Sequence, residues 1–294
     1  MNQYIFALGF FDGVHLGHQV LLKECVSLAS RLGCGAAAIT FESHPQSLFS
    51  DNPPPLLGTL SDRKALLQQY GIQYIHSFPV TKDVMSTHWQ TFLENLLSEG
   101  AIGFVCGDDF RFGHRGEGSS EKLQTFCRQR DLPCVIVPEQ TLEDIRVSSS
   151  YIRSQIESGD MATAVRFLGH PHILTGEVVP GKQLGRRLGI PTANLHLPEN
   201  VAIPKFGVYA CRVVVDGEYY PAVTNVGIRP TVSGSGITVE PWILNYSGDL
   251  YGRRIRLEFH YFLRPEEKFR SLEDLKTAIT HDAEEAKAFF SRLL

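Results

Sequence analysis

The residues with the clearest chemical potential lie in the stretch GFFDGVHLGH, positions 9–18, which holds three glycines and two histidines. The apolar run YIFAL precedes it and a sequence with helical spacing follows it, so a turn from a strand into a helix is predicted. The first turn of a helix exposes unpaired N–H groups and a partial positive charge. Gly9, Gly13 and Gly17 would let the backbone approach an anion closely, and the pattern indicates a phosphate-binding turn.

The two histidines, His15 and His18, are three residues apart near the predicted helix start. This spacing places them on one side of the helix, where both rings are expected to donate hydrogen bonds to a polyphosphate. Such donors help most where charge develops on a leaving pyrophosphate. The stretch contains no cysteine, serine or threonine that could act as a nucleophile. It therefore favours direct transfer of a nucleotidyl group, the alternative being an ordinary strand–helix turn with two surface histidines.

A second stretch, GEVVPGKQLGRRLGIPTANL at 176–195, invites two interpretations. Gly176 to Lys182 matches the start of a P-loop, but Gln183 stands where a hydroxyl should hold Mg²⁺ and Gly185 interrupts the expected helix, so we reject a P-loop. In the segment PTAN, Thr192 and Asn194 alternate and share one face of an extended chain. Their hydroxyl and amide oxygens suit Mg²⁺, which would also hold ATP phosphates. A turn with polar edges is the alternative.

Strands and helices alternate in the first half of the sequence. Apolar runs begin at positions 4, 36, 74, 102 and 134, and stretches of helical length cover 19–32, 61–70, 88–98 and 119–130. In the first helix Leu21, Cys25, Leu28 and Leu32 share one face, and Gly33 is expected to end it. The alternation predicts a parallel sheet with helices on both faces.

The second half reads differently after about residue 170. Strand-like runs follow one another with few helices, and Asp216-Gly217 between two of them predicts a hairpin. Closely spaced antiparallel strands favour a small closed barrel. The C-terminal stretch predicts one or two helices with Ser271 as N-cap. We place the domains at 1–158 and 159–294.

Composition excludes several classes. The chain has 294 residues, 43% of them hydrophobic, and a net charge of −4, which gives no reason to expect nucleic acid or an anionic membrane as partner. The N-terminus lacks the pattern of a signal peptide, and no stretch approaches the length of a membrane span. The six cysteines form no CxxC pair. We expect buried free thiols and a cytoplasmic protein.

The first half resembles the adenylyltransferase module of prokaryotic bifunctional riboflavin kinase/FAD synthetases. The similarity covers GFFDGVHLGH, an HxGH-type motif, and continues through TFESHP, VCGDDFRFG and VSSSYIRSQIESGD. The last segment resembles the signature ISSTxIR, with serine replacing threonine at Ser150. Ser43 stands where the family usually has a proline. The resemblance implies an HxGH nucleotidyltransferase fold, Rossmann-like with a parallel sheet, followed by a small antiparallel riboflavin-kinase-like β-barrel with a C-terminal helix.

Roles in the first domain follow from the resemblance position by position. The residues implied to contact ATP are Gly9, Phe10, Asp12, Gly13, His15, Gly17, His18, Ser149, Ser150 and Arg153. His15, His18 and Arg153 are also expected to be catalytic, with Arg153 and the two serines holding the phosphates from the other side. Asp109 would lie near the flavin or metal side of the pocket. This domain would convert FMN and ATP into FAD and pyrophosphate.

The second half resembles the riboflavin kinase module through GKQLGRRLGIPTAN, GVY, NVGIRPT, VE, YGRRI and LRPEEKF, in the family's order. The residues implied are Gly181, Lys182, Pro191 and Thr192 for ATP, Asn225, Arg229 and Arg264 for flavin, Thr192 and Asn194 for Mg²⁺, and Glu240 as catalytic base. Riboflavin and ATP would give FMN and ADP. One departure stands out: the family has a small hydroxyl residue and a histidine after the glutamate, whereas this chain has Pro241 and Trp242.

The leading hypothesis is therefore a bifunctional, Mg²⁺-dependent transferase that acts on ATP, riboflavin and FMN; self-association is compatible with the sequence. Three alternatives stay open here. The first is a monofunctional FAD synthetase whose kinase domain has degenerated around Pro241 and Trp242. The second is a non-catalytic flavin or nucleotide sensor. The third is another nucleotidyltransferase on the same scaffold, which would leave the PTAN segment unexplained.

Overall fold

The structure, a computed structural model, describes residues 3–181, 189–198, 200–231 and 234–292, with the backbone alone at 229–231 and 234–235. The chain divides into two compact units. The N-terminal unit comprises Met1–Leu56 and Leu60–Ser149, and the C-terminal unit comprises Leu57–Thr59 and Ser150–Leu294.

The N-terminal unit contains a parallel sheet. Its strands are β1 (Tyr4–Leu8), β2 (Gly35–Phe41), β3 (Tyr74–Phe78), β4 (Ala101–Gly107) and β7 (Cys134–Val137). They pair in the order β3-β2-β1-β4-β7, every pair parallel. Two short hairpins join β5 (Arg111–Phe112) to β6 (Gly118–Ser119), and β8 (Thr141–Leu142) to β9 (Ile145–Arg146). The predicted strand positions and the parallel sheet are confirmed.

Helices alternate with these strands, as the sequence predicts. They are α1 (Leu16–Leu32), α2 (Leu60–Gln69), α3 (Lys82–Met85), α4 (Trp89–Ser98) and α5 (Ser120–Arg128). Leu93 and Leu96 of α4 pack in one apolar core with Phe6 of β1 and Phe104 of β4. Burying each such side chain contributes roughly 2 kcal/mol of transfer free energy, which fixes the helices on the sheet.

The first helix shows how the sequence determines its ends. Leu21, Cys25 and Leu28 are buried, as their spacing predicts. Gly33 ends the helix with φ 67°, a left-handed conformation that suits glycine. Leu32 is 49% exposed, so its predicted place on the buried face is wrong. It lies in the last turn, next to the exposed Arg31, where few neighbours can cover it.

The C-terminal unit contains a closed barrel in which every strand pair is antiparallel. Its strands are β10 (His172–Val179), β11 (Asn194–His196), β12 (Gly207–Val215), β13 (Glu218–Thr231), β14 (Gly234–Ile243) and β15 (Arg254–Arg264), closed in the order β10-β11-β14-β13-β12-β15. The hairpin at Asp216-Gly217 is confirmed, with φ 52° and 85° at the two residues. The predicted barrel is confirmed as well.

Helices flank the barrel within this unit. Helix α6 (Ser149–Ser158) begins at the boundary between the units, and α7 (Met161–Leu168) follows it. The C-terminal helix α8 (Leu272–Ser291) begins at Ser271, whose side chain accepts the N–H of Asp274, as predicted. Its residues Ala283, Ala286 and Phe290 pack against the barrel residues Ala210 and Val223.

The six cysteines are free, as predicted, and four of them are buried. Cys34 and Cys134 are partly exposed, so the predicted burial is wrong for these two. Across the described parts of the chain, the helices all fall short of the length and apolar character that a membrane crossing requires.

Candidate active sites

The loop after β1 has an unusual backbone. Phe11, Gly13 and Val14 adopt φ values of 57°, 74° and 41°, and Asp12–Val14 form one turn of 3-10 helix. Left-handed conformations at non-glycine residues cost free energy, and they concentrate at functional sites. Gly9 is required for a different reason, because a Cβ there would lie 2.9 Å from the Phe11 ring. The predicted turn therefore has a shape that its glycines make possible.

His15 and His18 meet at the start of α1. His15 is the N-cap residue, and its Nδ1 accepts the backbone N–H of His18 at 3.4 Å. Because His15 Nδ1 accepts this N–H, a ring with a single proton carries it on Nε2. The two rings stack with centroids 3.6 Å apart and planes 13° from parallel. The structure thus brings the two predicted histidines onto one side of the helix.

The environment of His18 keeps its ring neutral. Burial, together with the nearby charges of His15 and Arg63, holds the pKa of His18 well below its usual value. The Phe11 ring lies edge-on to it, with centroids 5.2 Å apart. The Nδ1 atom of His18 is buried and has no hydrogen-bond partner among the described residues. A ring in this state offers a neutral donor and acceptor to a ligand.

The second predicted motif reaches this loop through Ser149. The Ser149 hydroxyl donates to the Asp12 carbonyl at 3.0 Å, so the first residue of α6 fixes the loop after β1. Ser150 and Arg153 belong to the C-terminal unit, where Arg153 Nη1 donates to Ser150 Oγ at 3.4 Å. Ser150 lies in the first turn of α6, and Arg153 follows three residues later on the same side of the helix.

Asp109, predicted near the flavin or metal side of the pocket, is exposed after β4 and forms an ion pair with Arg146 of β9. Arg146 also pairs with Glu139, Nε to Oε2 at 2.7 Å. Sequence reasoning missed Arg146, because nothing in the spacing of residues 109 and 146 indicates that the sheet places β9 beside the end of β4. Asp109 is therefore held by a charged partner instead of standing alone.

A cavity of about 530 Å³ in the C-terminal unit collects four of the predicted site residues. Thr192, Asn225, Glu240 and Arg264 line it, together with apolar side chains that include Trp242. Glu240 and Asn225 are direct partners across β14 and β13. Residues far apart in sequence thus share one pocket because the barrel closes.

Carboxylates orient the polar groups of this pocket. Arg264 donates from Nε and Nη2 to the two carboxylate oxygens of Asp282, at 2.9 and 2.8 Å. Asp282 is 2% exposed, and its carboxylate raises the pKa of Arg264. Asn225 Nδ2 lies 3.4 Å from Glu266 Oε1. Sequence reasoning missed Asp282 and Glu266, since neither was assigned a role by the motifs that carry the resemblance.

A second cavity, about 580 Å³, also borders the PTAN segment. Pro191 and Thr192 line it, along with Val178, Tyr246 and Tyr251. Thr192 therefore borders both cavities. Two molecules bound in them would meet at this residue.

Asn194 and Gly181 are packed tightly beside this junction. A Cβ at position 181 would lie 2.2 Å from Asn194 Nδ2, so only glycine leaves room for the Asn194 amide. Two predicted residues cannot be placed: Lys182 lies outside the described residues, and so does the side chain of Arg229. Of the ATP contacts predicted for the kinase reaction, the structure describes Gly181, Pro191 and Thr192.

The departure at Pro241 is tolerated by the barrel. The Pro241 carbonyl accepts the N–H of Ala193 at 2.9 Å. The N–H and C=O of one strand residue point to the same side, so the N–H that proline lacks would face the PTAN segment and not β13. The pairing of β14 with β13 is therefore intact at Glu240. Trp242 lines the cavity and packs with the α8 core cluster.

Comparison with known proteins decides the family. The model of the FAD synthetase family matches residues 1–151, and that of the riboflavin kinase family matches residues 168–290. The chain belongs to the bifunctional riboflavin kinase/FMN adenylyltransferase family. A member from Listeria monocytogenes is 32% identical over 98% of this chain and 93% of its own, and one from Pseudomonas fluorescens is 35% identical over 96% and 91%. One from Escherichia coli K12 is 34% identical over 97% and 92%.

A solved structure, described as a macrolide-efflux protein from Streptococcus pneumoniae, matches with a TM-score of 0.87. It is 28% identical, and the match covers 97% of this chain and 94% of that one. The predicted family and fold class are confirmed. The predicted function, flavin synthesis by a bifunctional ATP-dependent transferase, is confirmed in preference to a single-activity synthetase or a sensor.

Proposed function

We propose that residues 1–158 transfer AMP from ATP to FMN and that residues 159–294 transfer the γ-phosphoryl group of ATP to riboflavin. The observation that carries the assignment of the second reaction is the cavity shared by Thr192 and Glu240. The stacked pair of His15 and His18 at the start of α1 supports the first assignment. Each reaction then has its own site in the chain.

In the first reaction, a phosphate oxygen of FMN attacks the α-phosphorus of ATP. A new P–O bond forms, the bond from the α-phosphorus to the bridging oxygen breaks, and pyrophosphate leaves with the electron pair. The backbone of Gly9, Phe10, Asp12, Gly13 and Gly17 surrounds the phosphates at the start of α1. His15 Nε2–H and the neutral His18 ring donate to the oxygens on which charge develops.

Ser149, Ser150 and Arg153 act on the same phosphates. Ser149 keeps the loop in place through the Asp12 carbonyl, and the planar guanidinium of Arg153 suits phosphate oxygens. Asp109, held by Arg146, faces the flavin side. Positioning and charge neutralisation supply the catalysis, since no covalent intermediate on the protein is needed.

In the second reaction, the riboflavin hydroxyl attacks the γ-phosphorus of ATP and ADP leaves. Glu240 accepts the hydroxyl proton. Asn225 and Arg264 hold the flavin in the 530 Å³ cavity, with Arg264 fixed by Asp282. The resemblance adds Arg229 to the flavin contacts. Pro191 and Thr192, which line the 580 Å³ cavity, hold ATP there. The resemblance adds Gly181 and Lys182 to the ATP contacts. The two substrates approach each other beside Thr192.

Mg²⁺ fits the chemistry of Thr192 and Asn194. Their hydroxyl and amide oxygens are hard ligands, and Asn194 is packed against Gly181, where no side chain competes with it. Two protein oxygens leave positions for phosphate oxygens and water, as Mg²⁺ usually requires. When bound, the ion neutralises charge on the phosphates. A cytoplasmic location stays a prediction.

The test is a time course with purified protein, riboflavin, ATP and Mg²⁺ in which riboflavin, FMN and FAD are separated. FMN followed by FAD supports both sites. FAD formed only when FMN is supplied would contradict the kinase assignment. FMN without FAD would contradict the adenylyltransferase assignment.

A further inference from the structure

Arg63 of α2 is buried beside the loop that follows β1, although no motif in the sequence singles it out. It is 2% exposed. Its Nη1 donates to the Phe41 carbonyl at 2.7 Å, to Thr40 Oγ1 at 2.9 Å and to the Phe10 carbonyl at 3.4 Å. Thr40 Oγ1 donates in turn to the Phe10 carbonyl at 2.7 Å. Arg63 therefore sits where the carboxyl ends of β1 and β2 meet, the usual edge for ligands in a parallel sheet.

The other edge of the guanidinium has no protein partner in the described part of the chain. Nε and Nη2 are buried, and neither has a hydrogen-bond acceptor there. A buried charged donor without a partner is destabilising, so a bound acceptor would be favoured at this position. The Nε–Nη2 edge is one of the forks through which arginine binds two oxygens of a phosphate. Arg63 therefore uses Nη1 for hydrogen bonds within the protein, whereas the edge formed by Nε and Nη2 has no acceptor among the described residues.

Arg63 has no carboxylate partner in the part of the chain that the structure describes, but its charge interacts with titratable residues of the stretch 9–18. All three acceptors of Nη1 are neutral oxygens, and no carboxylate of the described residues is within ion-pair distance of the guanidinium. Burial lowers the pKa of Arg63, and Asp12 opposes that shift. The charge of Arg63 in turn helps to lower the pKa of His18. The charge of Arg63 thus interacts with Asp12 and His18, which both belong to the stretch 9–18.

The Phe10 ring covers the guanidinium, with Cζ of Arg63 4.4 Å from the ring centroid. Phe10 is itself partly exposed and touches the ring of His44 edge-on, with centroids 5.3 Å apart. Because Arg63 is buried, binding of a ligand to it requires side chains around the guanidinium, among them Phe10, to move. Phe10 is already among the residues proposed to contact ATP.

We propose that Arg63 is a further phosphate-binding residue of the adenylyl-transfer site, which holds the loop through Nη1 and binds a phosphoryl oxygen of a substrate through Nε and Nη2. The inference rests on the proposed function of the N-terminal unit. Both substrates of that unit carry phosphate: the triphosphate of ATP and the phosphomonoester of FMN. Either substrate could therefore supply the two phosphoryl oxygens that the Nε–Nη2 edge would bind, and the experiment distinguishes ATP from FMN.

The experiment compares Arg63→Met, which keeps the length of the side chain, and Arg63→Lys, which keeps the charge but loses the fork, in the full chain. FAD formation is measured from supplied FMN and ATP, with each substrate varied in turn, and in reverse from FAD and pyrophosphate. For Arg63→Met, kcat/KM should fall by roughly 100-fold or more, and for Arg63→Lys by about tenfold, since a charged hydrogen-bond pair is lost. A raised KM for ATP and pyrophosphate assigns the contact to ATP, and a raised KM for FMN alone assigns it to FMN.

Controls separate binding from folding. Arg31→Met removes an exposed arginine of the same unit and should leave both reactions within about twofold. Riboflavin phosphorylation in the other unit should stay within about twofold in every variant. If Arg63→Met lowers the thermal unfolding temperature so far that its kinetics cannot be read, Arg63→Lys decides. Unchanged KM values for ATP, FMN and pyrophosphate in Arg63→Lys would overturn the proposal. Failure of the proposed function would show differently, as absence of FAD with the unsubstituted protein.

Discussion

The rings of His15 and His18 lie 3.6 Å apart in a near-parallel stack, and the Nδ1 of the first accepts the backbone N–H of the second. One ring therefore fixes the helix start and the proton position of its own Nε2. The other keeps a buried Nδ1 without a partner in the described structure. The two histidines thus differ in their contacts, since His15 also caps the helix whereas the Nδ1 of His18 has no partner among the described residues.

His18→Ala should impair FAD formation and spare FMN formation. Removing one preorganised donor to a developing charge costs about 100- to 1,000-fold in kcat. The measurement is the rate of FAD formation from supplied FMN, together with riboflavin phosphorylation by the same preparation. His114→Ala, in the same unit but outside the motif, is the matched control. Equal losses in both reactions would contradict the assignment of His18 to one site.

Glu240→Gln should have the reverse effect. The amide cannot accept the riboflavin proton, so FMN formation should fall by about 100- to 10,000-fold, the usual contribution of a general base. FAD formation from supplied FMN should stay within about twofold. Glu218→Gln changes an exposed carboxylate on the neighbouring strand and serves as control. Full kinase activity in Glu240→Gln would remove this residue from the mechanism.

Much of the fold could be predicted from the sequence because its signals are local. The strand runs, the cap at Gly33, the hairpin at Asp216-Gly217 and the N-cap at Ser271 each depend on a few adjacent residues. The stacked histidines were also accessible, since three-residue spacing at a helix start fixes their relation.

The rest of the sites depends on contacts between distant segments. In the sequence Arg63 is one of several polar residues of a helix, and its place at the ends of β1 and β2 follows only from the fold. Asp282 is likewise one of several acidic residues of α8, and only the structure shows that it binds Arg264. The consequence of Pro241 also required the structure, because its side of the strand follows from the bond to Ala193. Sequence reasoning proposed candidate binding residues and missed the residues that hold them in place.

Substitutions at the unusual dipeptide should separate backbone from packing. Pro241→Thr should keep riboflavin phosphorylation within about threefold, because the restored N–H faces the PTAN segment and the β13 pairing is unaffected. Trp242→His should lower the free energy of unfolding by about 2 kcal/mol, because it removes apolar contacts with the α8 cluster. Steady-state kinetics and urea unfolding measure the two effects. A large loss of kcat in Pro241→Thr would show that proline itself is needed at this position.

Gly181→Ala should weaken the metal and nucleotide side of the kinase site. The added Cβ would lie 2.2 Å from Asn194 Nδ2 and must displace the amide. We expect the Mg²⁺ concentration for half-maximal FMN formation to rise by about tenfold, because substitutions that displace a metal ligand usually weaken metal binding by at least this factor. Gly217→Ala, at a hairpin position with open space around it, should cost stability without changing the Mg²⁺ dependence. An unchanged Mg²⁺ titration in Gly181→Ala would argue against Asn194 as a ligand.

His172 predicts how the C-terminal unit responds to acid. It is fully buried, its Nε2 lies 3.1 Å from the Ala202 carbonyl, and burial lowers its pKa to about 4. Because the unfolded chain binds this proton near pH ~6.5 and the folded unit does not, this residue's contribution to stability is complete above that pH and falls as the pH drops towards about 4. The loss from this residue is on the order of 3 kcal/mol.

The measurement is urea unfolding at several pH values between about pH 7 and pH 4, with tryptophan fluorescence as the signal. The chain has two tryptophans, and in a Trp89→Phe background Trp242 reports on the C-terminal unit alone. His172→Gln removes the titrating group and should flatten the pH dependence relative to the parent, whereas His281→Gln, at an exposed position of α8, should leave it unchanged. If the parent and His172→Gln lost stability in parallel between about pH 6.5 and pH 4, the acid sensitivity would have to come from other groups, such as carboxylates that must be protonated.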